Sequence, residues 1–485
     1  MTPATRTIPE LVRDSVEASP DRTWLVAPDL ELTYAEAQDR IERAAAALRA
    51  LGVQPGDRVL HVARNEPGHL LTWLALMEVG AIQVPVNPKG TEAELQGFVD
   101  QVRPSLVLTD VDDLFDAATD GRGPATVDHD DVAVMIPTSG TTGRSKLVMQ
   151  THRAYVMAGE GFPWWLELTA DDRLMTSLPL FHVNAPAYST LGSIAAGASL
   201  VLLPAFSGSG FLDQARRFGA TQFNSIGAML EILLRQPQRD DDADTPLRLC
   251  YTGPSPAKDR HLEAEERFGL RITCGYALSE SPYGTVWRHG TRPYGTLGAV
   301  RQHPTLGTVN EGRVMADGVE VPVGGEGELE LRNPAVMKGY YEMPEETAAV
   351  LGPDGWLKTG DLVRRNDDET YTFIGRKKEV IRRRGENLSP AEVEAALERH
   401  PDVAEAAVVG VESDLSEEEV KAFVVPAPGA TIDVEALKAH AAEHLARFKV
   451  PRWWEVVDEL PHTATDRIAK HQLPKGRTEG EVDLG

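Results

Sequence analysis

The sequence predicts an α/β fold with a large N-terminal domain, which includes a small β-rich subdomain, followed by a small α+β C-terminal domain. Helix-spaced apolar stretches alternate with short apolar runs in the first half of the chain, as expected for a largely parallel sheet covered by helices. Short strands and turns predominate from residue 294, and residues 391–485 form a second alternating unit. A chain of 485 residues accommodates roughly two to four domains.

The composition restricts the class of protein. Lys plus Arg number 49 against 74 Asp plus Glu, a net charge of −25, which argues against nucleic-acid binding over a broad face. No apolar run reaches the ~18 residues of a membrane span, and the first residues do not resemble a signal peptide. Two cysteines, Cys250 and Cys274, exclude a disulfide scaffold and are expected in the core. We therefore expect a cytoplasmic protein without a membrane span.

The first elements follow from periodicity. Residues 8–18 and 34–51 have helical spacing, and a Pro-Gly-Asp turn at 55–57 leads into a strand. HLLTWLALMEVGAIQVPVNP predicts a helix, a glycine break and a strand, and SLVLTD predicts a buried strand. Residues 111–130 and 237–246 are polar connections. The Asp cluster at 240–244 lacks EF-hand spacing and is interpreted as a solvated loop.

The most informative stretch is Pro137-Thr-Ser-Gly-Thr-Thr-Gly-Arg-Ser-Lys146, which follows the apolar run VAVMI. Its hydroxyl residues and two glycines allow backbone N–H groups and side-chain hydroxyls to surround one anion, and Lys146 adds a positive charge. It is not a Walker loop, because it lacks a Gly-Lys-Ser/Thr triplet and the continuation LVMQTH predicts a strand. The residues alone leave a Ser/Thr/Gly-rich surface turn as the alternative.

PTSGTTGRSK resembles the phosphate loop of the adenylate-forming superfamily, which includes acyl-CoA synthetases, peptide-synthetase adenylation domains and firefly-type luciferases. Ser145 and Leu147 stand where the family commonly has proline and glycine. The resemblance extends from about residue 8 to 475, with the motifs in the family's order, and is closest to acid–CoA ligases. It implies a phosphate site formed by Thr138, Ser139, Gly140, Thr141, Thr142, Gly143 and Lys146.

Further nucleotide residues are implied by the same resemblance. GPSP is similar to the adenine-binding turn, and GYALSES is similar to the family's YGxTE motif, with Ala277 and Ser279 replacing glycine and threonine. In these roles an aromatic ring stacks on adenine, a hydroxyl binds the α-phosphate and the Glu280 carboxylate holds Mg²⁺. WLKTGD places Asp361 at the ribose. The implied nucleotide-binding residues are Gly253, Pro254, Ser255, Tyr276, Ser279, Asp361 and Arg376.

The resemblance also implies an acid pocket. His182, in PLFH, lies where the acyl group meets the pantetheine channel, and FNSIGAM is similar to the pocket wall. The small or apolar side chains with one amide favour a modest, partly polar acid. The pocket residues are Phe181, His182, Asn184, Phe223, Asn224, Ile226, Gly227 and Tyr276.

FIGRKKEVIRRRGENLSPAEVE is similar to the family's hinge segment. The implied domains are residues 1–375, which bind ATP and the acid, a hinge at 376–380 around Lys378, and a mobile lid at 381–485. The CoA path is assigned to Arg384, Gly385, Glu386 and Asn387. This basic run supplies the local positive charge that an anionic ligand needs on an acidic protein, although a solvated basic face is the alternative.

One position departs from the family. Its terminal motif ends in Gly-Lys, and the aligned pair here is Asp466-Arg467. Arginine keeps the charge but is bulkier and directs its donors in a planar fork. We expect Arg467 to replace the lysine, with Lys470 and slow adenylation as alternatives. The predicted catalytic residues are Arg467, Lys146, His182 and Glu280.

The predicted activity is ATP- and Mg²⁺-dependent adenylation of a small aryl or short acyl acid, with pyrophosphate release and transfer to CoA. One alternative is an enzyme of secondary metabolism that adenylates another oxyacid, such as nitrite, or that transfers to an amine. Another is a nucleotide-binding homologue with impaired catalysis. The expected partners are the acid, ATP and CoA, and a homodimer is an alternative to the monomer.

Overall fold

The structure is a computed structural model of the chain. It describes residues 5–138, 145–226, 229–383, 386–412, 418–462 and 468–484, without the side chains of residues 382, 386, 387 and 412.

Strands and helices alternate through the N-terminal part. The strands are β1 Thr23–Ala27, β2 Leu30–Thr33, β3 Arg58–Val62, β4 Ile82–Val86, β5 Leu106–Leu108, β6 Val132–Thr138, β7 Lys146–Thr151, β8 Arg173–Thr176, β9 Ser199–Leu202, β10 Gln222–Ile226, β11 Leu249–Gly253, β12 Arg271–Leu278, β13 Ser281–Val286 and β14 Ala299–Val300. The helices are α1 Ile8–Ala18, α2 Tyr34–Ala50, α3 Pro67–Val79, α4 Glu92–Val102, α5 His152–Leu166, the π-helix Ala185–Thr190, α6 Leu191–Ala196, α7 Phe211–Phe218, α8 Met229–Leu234 and α9 Lys258–Phe268.

Local chemistry defines several of these boundaries. Helices α1, α2 and α4 each begin after a threonine whose hydroxyl accepts a backbone N–H, with a glutamate three residues later that bonds back. Helix α3 ends at Gly80, which has φ 76° and starts the break before β4. The helix, glycine and strand predicted from this stretch are therefore confirmed.

In the described chain, nine strands form the largest sheet, in the order β14-β13-β12-β11-β10-β8-β9-β1-β2. The strands from β12 to β1 in this order run parallel. Helices cover both faces: the ring of Tyr251 on β11 contacts Phe162 of α5, and the ring of Phe223 on β10 contacts Phe211 of α7. This arrangement confirms the predicted α/β fold.

A second sheet, ordered β5-β3-β4-β6-β7, carries the hairpin of β6 and β7. The pairing runs from Val132 opposite Thr151 to Thr138 opposite Lys146, so the phosphate-loop stretch connects two antiparallel strands. LVMQT is thus a strand, as predicted. SLVLTD, however, was predicted to be buried, and this is wrong because β5 lies at the sheet edge, where Val107 is 38% exposed.

A five-stranded antiparallel sheet follows, in the order β16-β15-β17-β18-β19. Its strands are β15 Glu311–Ala316, β16 Val319–Glu320, β17 Glu326–Arg332, β18 Leu357–Arg365 and β19 Tyr371–Arg376, with helix α10 Pro344–Val350 between β17 and β18. This is the β-rich part that the sequence predicts after residue 294.

The C-terminal part has its own core, formed around Val408, Val424 and Trp454. It contains β20 Ile381–Arg383, β21 Glu386–Leu388, α11 Pro390–Leu397, β22 Val403–Glu412, β23 Glu418–Pro426, α12 Val434–His444, β24 Trp453–Val456 and β25 Glu481–Asp483. Strands β22 to β25 form one sheet. A separate small α+β unit is therefore present, as predicted.

Burial tests the expectations for the cysteines and for the Asp cluster, and helix length tests the expectation for membrane spans. Cys250 and Cys274 are unpaired and buried in the core, as expected. The Asp cluster is not wholly solvated, because Asp242 is buried and its carboxylate lies 2.7 Å from Nε of Arg267. No helix in the described ranges is long and apolar enough to cross a membrane.

Candidate active site

The carboxyl ends of the parallel strands bring the candidate residues to one edge of the large sheet. Ile226 at the end of β10 is the register partner of Gly253 on β11, and Thr252 is the partner of Cys274 on β12. Tyr276 follows two residues later on β12. Ligands of open α/β sheets bind at this edge.

Lys146 and Glu280 contact different parts of one tyrosine, Tyr340: the lysine contacts the ring and the glutamate contacts the hydroxyl. The ammonium nitrogen of Lys146, the first residue of β7, is 4.5 Å from the ring centroid of Tyr340. The Tyr340 hydroxyl donates a hydrogen bond of 2.9 Å to Oε1 of Glu280, in the turn between β12 and β13. Burial, and then the Glu280 carboxylate, raise the pKa of Tyr340, so this hydroxyl stays protonated and donates.

The Glu280 carboxylate is suited to act as a ligand of Mg²⁺. Mg²⁺ is commonly bound by one or two carboxylates together with substrate phosphates, and among described residues no donor is bonded to Oε2 of Glu280. A second group of potential ligands, Asp128, His129 and Asp130, is less suitable because the Arg153 guanidinium donates to Asp130 at 2.7 Å.

Asp361 is a buried carboxylate held by two neighbours. Nε of Arg376, at the end of β19, lies 2.6 Å from Oδ1, and the Tyr276 hydroxyl donates to Oδ2. Burial, and then Asp361, raise the pKa of Tyr276, so the phenol remains a donor. Asp361, Tyr276 and Arg376, which the resemblance assigns to the nucleoside, are thus in direct contact.

The amides of the predicted acid pocket form a chain. The side chain of Asn224 on β10 donates to Asn184 at 2.7 Å, and Gln222 donates to Asn224 at 2.7 Å. Asn184 precedes the π-helix, and the rings of Phe181 and His182 are 4.6 Å apart just before it. This side of β10 therefore presents polar groups next to the PLFH segment.

Phe223 does not share this environment. Side chains alternate along a strand, and Phe223 points to the opposite face from Asn224, where its ring packs 4.8 Å from that of Phe211. It is buried in the main core, so its placement in the acid pocket is corrected to a core position. Ile226, on the face of Asn224, is 44% exposed at the strand end.

The predicted adenine turn begins where two strands approach closely. A Cβ on Gly253 would lie 2.5 Å from the carbonyl oxygen of Gly275, so a larger residue does not fit without a backbone shift. After Pro254, the Ser255 hydroxyl accepts a hydrogen bond from Gly295 N–H at 3.3 Å. The carbonyl of Ser279 accepts a hydrogen bond of 2.6 Å from the Gln150 side chain.

The hinge segment is anchored on both sides of Lys378. The ammonium of Lys377 is 2.9 Å from Glu328 of β17, whereas the carboxylate of Glu379 is 3.4 Å from Lys470 of the C-terminal part. Lys378 itself is exposed in a turn. The backbone of Glu386 and Asn387 pairs with β20.

Several predicted residues lie outside the described part of the chain. Residues 139–144 of the predicted phosphate loop are not described; Thr138 precedes them and Ser145 follows them. The Thr138 hydroxyl donates to the Lys146 carbonyl at 3.3 Å. The residues outside the description are Ser139, Gly140, Thr141, Thr142, Gly143, Gly227, Arg384, Gly385 and Arg467.

Sequence reasoning missed Tyr340 and Asn65. The Asn65 side chain donates to Leu178 O at 2.8 Å and accepts from Leu180 N at 3.0 Å, which fixes the chain just before Phe181. An asparagine between a strand and a helix is an ordinary turn residue, so the pattern gives no signal for this role. Tyr340 lies within MKGYY, where the sequence shows only an aromatic residue in a turn and gives no signal of a contact with Lys146 or Glu280.

Comparison with known proteins places these residues in a family. The profile described as AMP-binding enzyme matches residues 12–123 and 112–341, and that of the AMP-binding enzyme C-terminal domain matches residues 392–467. The chain belongs to this family of adenylate-forming enzymes, which confirms the resemblance.

Individual relatives are similar over nearly their whole length. Crotonobetaine/carnitine–CoA ligase of Salmonella enteritidis is 30% identical, over 93% of this chain and 96% of the relative. The o-succinylbenzoate CoA synthetase MenE of Bacillus subtilis, in complex with its acyl-adenylate intermediate, is 26% identical, with a TM-score of 0.86 over 97% of this chain and 99% of that chain.

MatB of Rhodopseudomonas palustris is similar in two states. The ATP-bound structure is 29% identical and has a TM-score of 0.82 over 96% of this chain and 98% of that chain. The apo structure has a TM-score of 0.72 over 96% and 97%. The present structure is therefore more similar to ATP-bound MatB than to apo MatB.

Proposed function

We propose that this protein is an AMP-forming acid–CoA ligase. The observation that carries the proposal is the convergence of Lys146, Glu280 and the Tyr276–Asp361 pair, in a chain that belongs to the adenylate-forming family. The full-length similarity to ligases named for CoA supports CoA as the acceptor.

The first half-reaction joins the acid to AMP. A carboxylate oxygen of the acid attacks the α-phosphorus of ATP, the bond to the β-phosphate oxygen breaks, and pyrophosphate leaves. The positive charge of Lys146, with the hydroxyls and N–H groups of residues 138–145, stabilises the growing negative charge. Glu280 would hold Mg²⁺, which when bound would neutralise further charge on the phosphates. Asp361 accepts hydrogen bonds from the ribose hydroxyls, with Arg376 holding the carboxylate.

The second half-reaction uses the same pocket. The CoA thiolate attacks the acyl carbonyl and AMP leaves, which gives the thioester. Residues 1–375 serve as the ATP- and acid-binding domain and residues 381–485 as a lid that turns about the hinge at 376–380. The contacts of Lys377 and Glu379 to opposite sides support a pivot at Lys378. His182 and residues 384–387 line the route of the pantetheine.

The substrate is a small, partly polar acid. The polar groups that Asn184 and Asn224 place next to the PLFH segment support this choice, because a few polar groups in a pocket favour a ligand that carries matching polar groups.

A pyrophosphate-release screen tests the function. Aryl acids, short acyl acids, amino acids and nitrite are offered with ATP–Mg²⁺, with and without CoA. We expect release to depend on one small carboxylic acid and a thioester to form only with CoA. Turnover with nitrite or an amine acceptor in place of CoA would overturn the proposal.

Glu280→Ala tests the site itself. Loss of a group that stabilises the transition state typically costs ~10²–10³ in rate, so we expect pyrophosphate release to fall by that factor. Glu266→Ala, which removes an exposed carboxylate on α9, is the matched control and should retain the parental rate. Parental activity of Glu280→Ala would show that the site is elsewhere.

A further inference from the structure

Tyr340 contacts both of the opposite charges of the candidate active site. Its ring faces the Lys146 ammonium at 4.5 Å and its hydroxyl bonds Oε1 of Glu280 at 2.9 Å. The residue is 7% exposed, so the ring is a fixed part of the site wall.

The backbone around Tyr340 is bonded to both neighbours. One bond joins the segment 337–341 to Glu280, and three join it to β7, the strand that begins with Lys146. These bonds are Met337 N to Glu280 O at 2.8 Å, Lys338 N to Met149 O at 3.0 Å, Met149 N to Gly339 O at 3.0 Å, and Tyr341 N to Leu147 O at 2.9 Å. Tyr340 is therefore placed by the same hydrogen bonds that connect the two functional elements.

This placement has an electrostatic consequence. A lysine and a glutamate in one partly enclosed site attract each other strongly and form a salt bridge when nothing separates them. Such a pair would occupy the positive charge that a phosphate needs and the carboxylate that a metal needs. The Tyr340 ring satisfies the ammonium through its π-face, and its hydroxyl satisfies one carboxylate oxygen.

We propose that Tyr340 is a positioning residue that holds Lys146 on its ring and Glu280 at its hydroxyl, so that the two do not pair and the Glu280 carboxylate would be available to a metal bound with ATP. This inference rests on the proposed function, since it assigns phosphate to Lys146 and metal to Glu280. Tyr340 acts through these two side chains and makes no bond in the reaction.

Tyr340→Phe removes the hydroxyl and keeps the ring. The test measures Mn²⁺ binding by electron paramagnetic resonance in the presence of α,β-methylene-ATP, an analogue whose α–β linkage is not cleaved. It also measures binding of the same analogue in EDTA. A hydrogen bond to a charged group contributes enough for its loss to weaken Mn²⁺ binding about tenfold or more, with metal-free binding changed less than about twofold.

Tyr341→Phe is the matched control. It makes the same chemical change one residue later, where the side chain packs against the apolar cluster of the second sheet. Both binding constants should remain parental. Similar melting temperatures of the parent, Tyr340→Phe and Tyr341→Phe would establish that the binding constants are compared between equally folded proteins.

Tyr340→Leu tests the separating role of the ring. Without the ring, Lys146 pairs with Glu280, so metal-free analogue binding should weaken about tenfold, the order expected for loss of a charged contact to phosphate. Adding Glu280→Gln to Tyr340→Leu removes the competing carboxylate and should restore metal-free binding.

The outcomes separate the two proposals. If the parent binds no analogue, the proposed function fails. If the parent binds analogue and Mn²⁺ but Tyr340→Phe leaves the Mn²⁺ constant within about twofold, or Glu280→Gln fails to restore binding to Tyr340→Leu, the role of Tyr340 is overturned while the function stands.

Discussion

Lys470 is held inside the C-terminal part by two carboxylates. Its ammonium lies 2.7 Å from Glu394 of α11 and 3.4 Å from Glu379, and Glu394 also accepts a hydrogen bond from Val408 N at 2.6 Å. Burial alone lowers the pKa of Lys470, but the carboxylates outweigh it and the pKa is raised. Lys470 therefore has a structural role in the present arrangement. Because its ammonium is already paired, Lys470 is a poorer candidate than Arg467 for the role of the family's catalytic lysine.

Arg467 and Lys470 should consequently respond differently to substitution. We predict that Arg467→Ala lowers ATP–pyrophosphate exchange by ~10² or more, because a transition-state cation is lost. Lys470→Ala should retain exchange within a few-fold but lower the melting temperature, since it leaves Glu394 without its cation. Loss of exchange in Lys470→Ala with retention in Arg467→Ala would reverse the assignment.

The contrast between these residues indicates what a sequence can reveal about a site. Motif order predicts Glu280, Asp361 and Arg376 as site residues, because the family's motifs specify residue types at fixed spacing. Tyr340 could not be found in this way, since its contact with Lys146 joins residues 194 positions apart in sequence. Phe223 was misplaced because the motif locates the strand but not the face to which each side chain points.

At the scale of elements, the sequence pattern predicted helices α1, α2 and α3 and strands β6 and β7, but not the pairing of the two strands as a hairpin. Each has a strong local signal, such as the apolar stretch that ends at Gly80. The edge position of β5 could not be predicted, because a run of three apolar residues, Leu106–Leu108, is the same at a sheet edge and at its centre. Burial there depends on strand order, which is set by long-range packing.

One buried contact links β3, β4 and α3. Nε2 of His61 lies 2.9 Å from Nδ1 of His69, and Gln83 donates to Nδ1 of His61 at 2.9 Å. Burial, and then His69, lower the pKa of His61 to about 3. His61 is therefore neutral in the folded protein at neutral pH and in mild acid.

The stability of the N-terminal part should depend on pH as a result. Below the unfolded pKa of about 6.5 the unfolded state binds a proton that folded His61 does not bind until about pH 3, so stability is lost as pH falls through this window. Between pH 7.5 and 5.5 we predict a loss of about 1.4 kcal/mol from this group, measured by urea unfolding.

His61→Gln should reduce the change in unfolding free energy between pH 7.5 and pH 5.5 by about 1.4 kcal/mol, whatever its effect on absolute stability. His471→Gln, which removes an exposed histidine, should leave the difference unchanged. An identical pH dependence in His61→Gln and the parent would contradict the assignment.

At the scale of the whole molecule, an arginine of the N-terminal part contacts the C-terminal part. Arg235 directly follows α8, the helix that begins just after β10 of the predicted pocket wall, and its Nη1 donates to Val403 O of β22 at 2.9 Å. Glu398 lies beside it, and burial raises the pKa of Glu398 to about 7. The structure is also closer to ATP-bound than to apo MatB. We therefore expect this contact to favour the arrangement used for adenylation.

Arg235→Ala should separate the two half-reactions. A hydrogen bond from a charged group contributes ~1.5–3 kcal/mol when buried and less at this exposed position, so we predict that adenylate formation slows about 3- to 10-fold. Thioester formation from pre-made acyl-adenylate should be unchanged or faster, because the proposed mechanism uses a different orientation of residues 381–485 for that step. Arg239→Ala is the control, since that guanidinium pairs with Asp213 and Asp241 within the N-terminal part. Equal slowing of both half-reactions, or of neither, would show that Arg235 does not bias the lid.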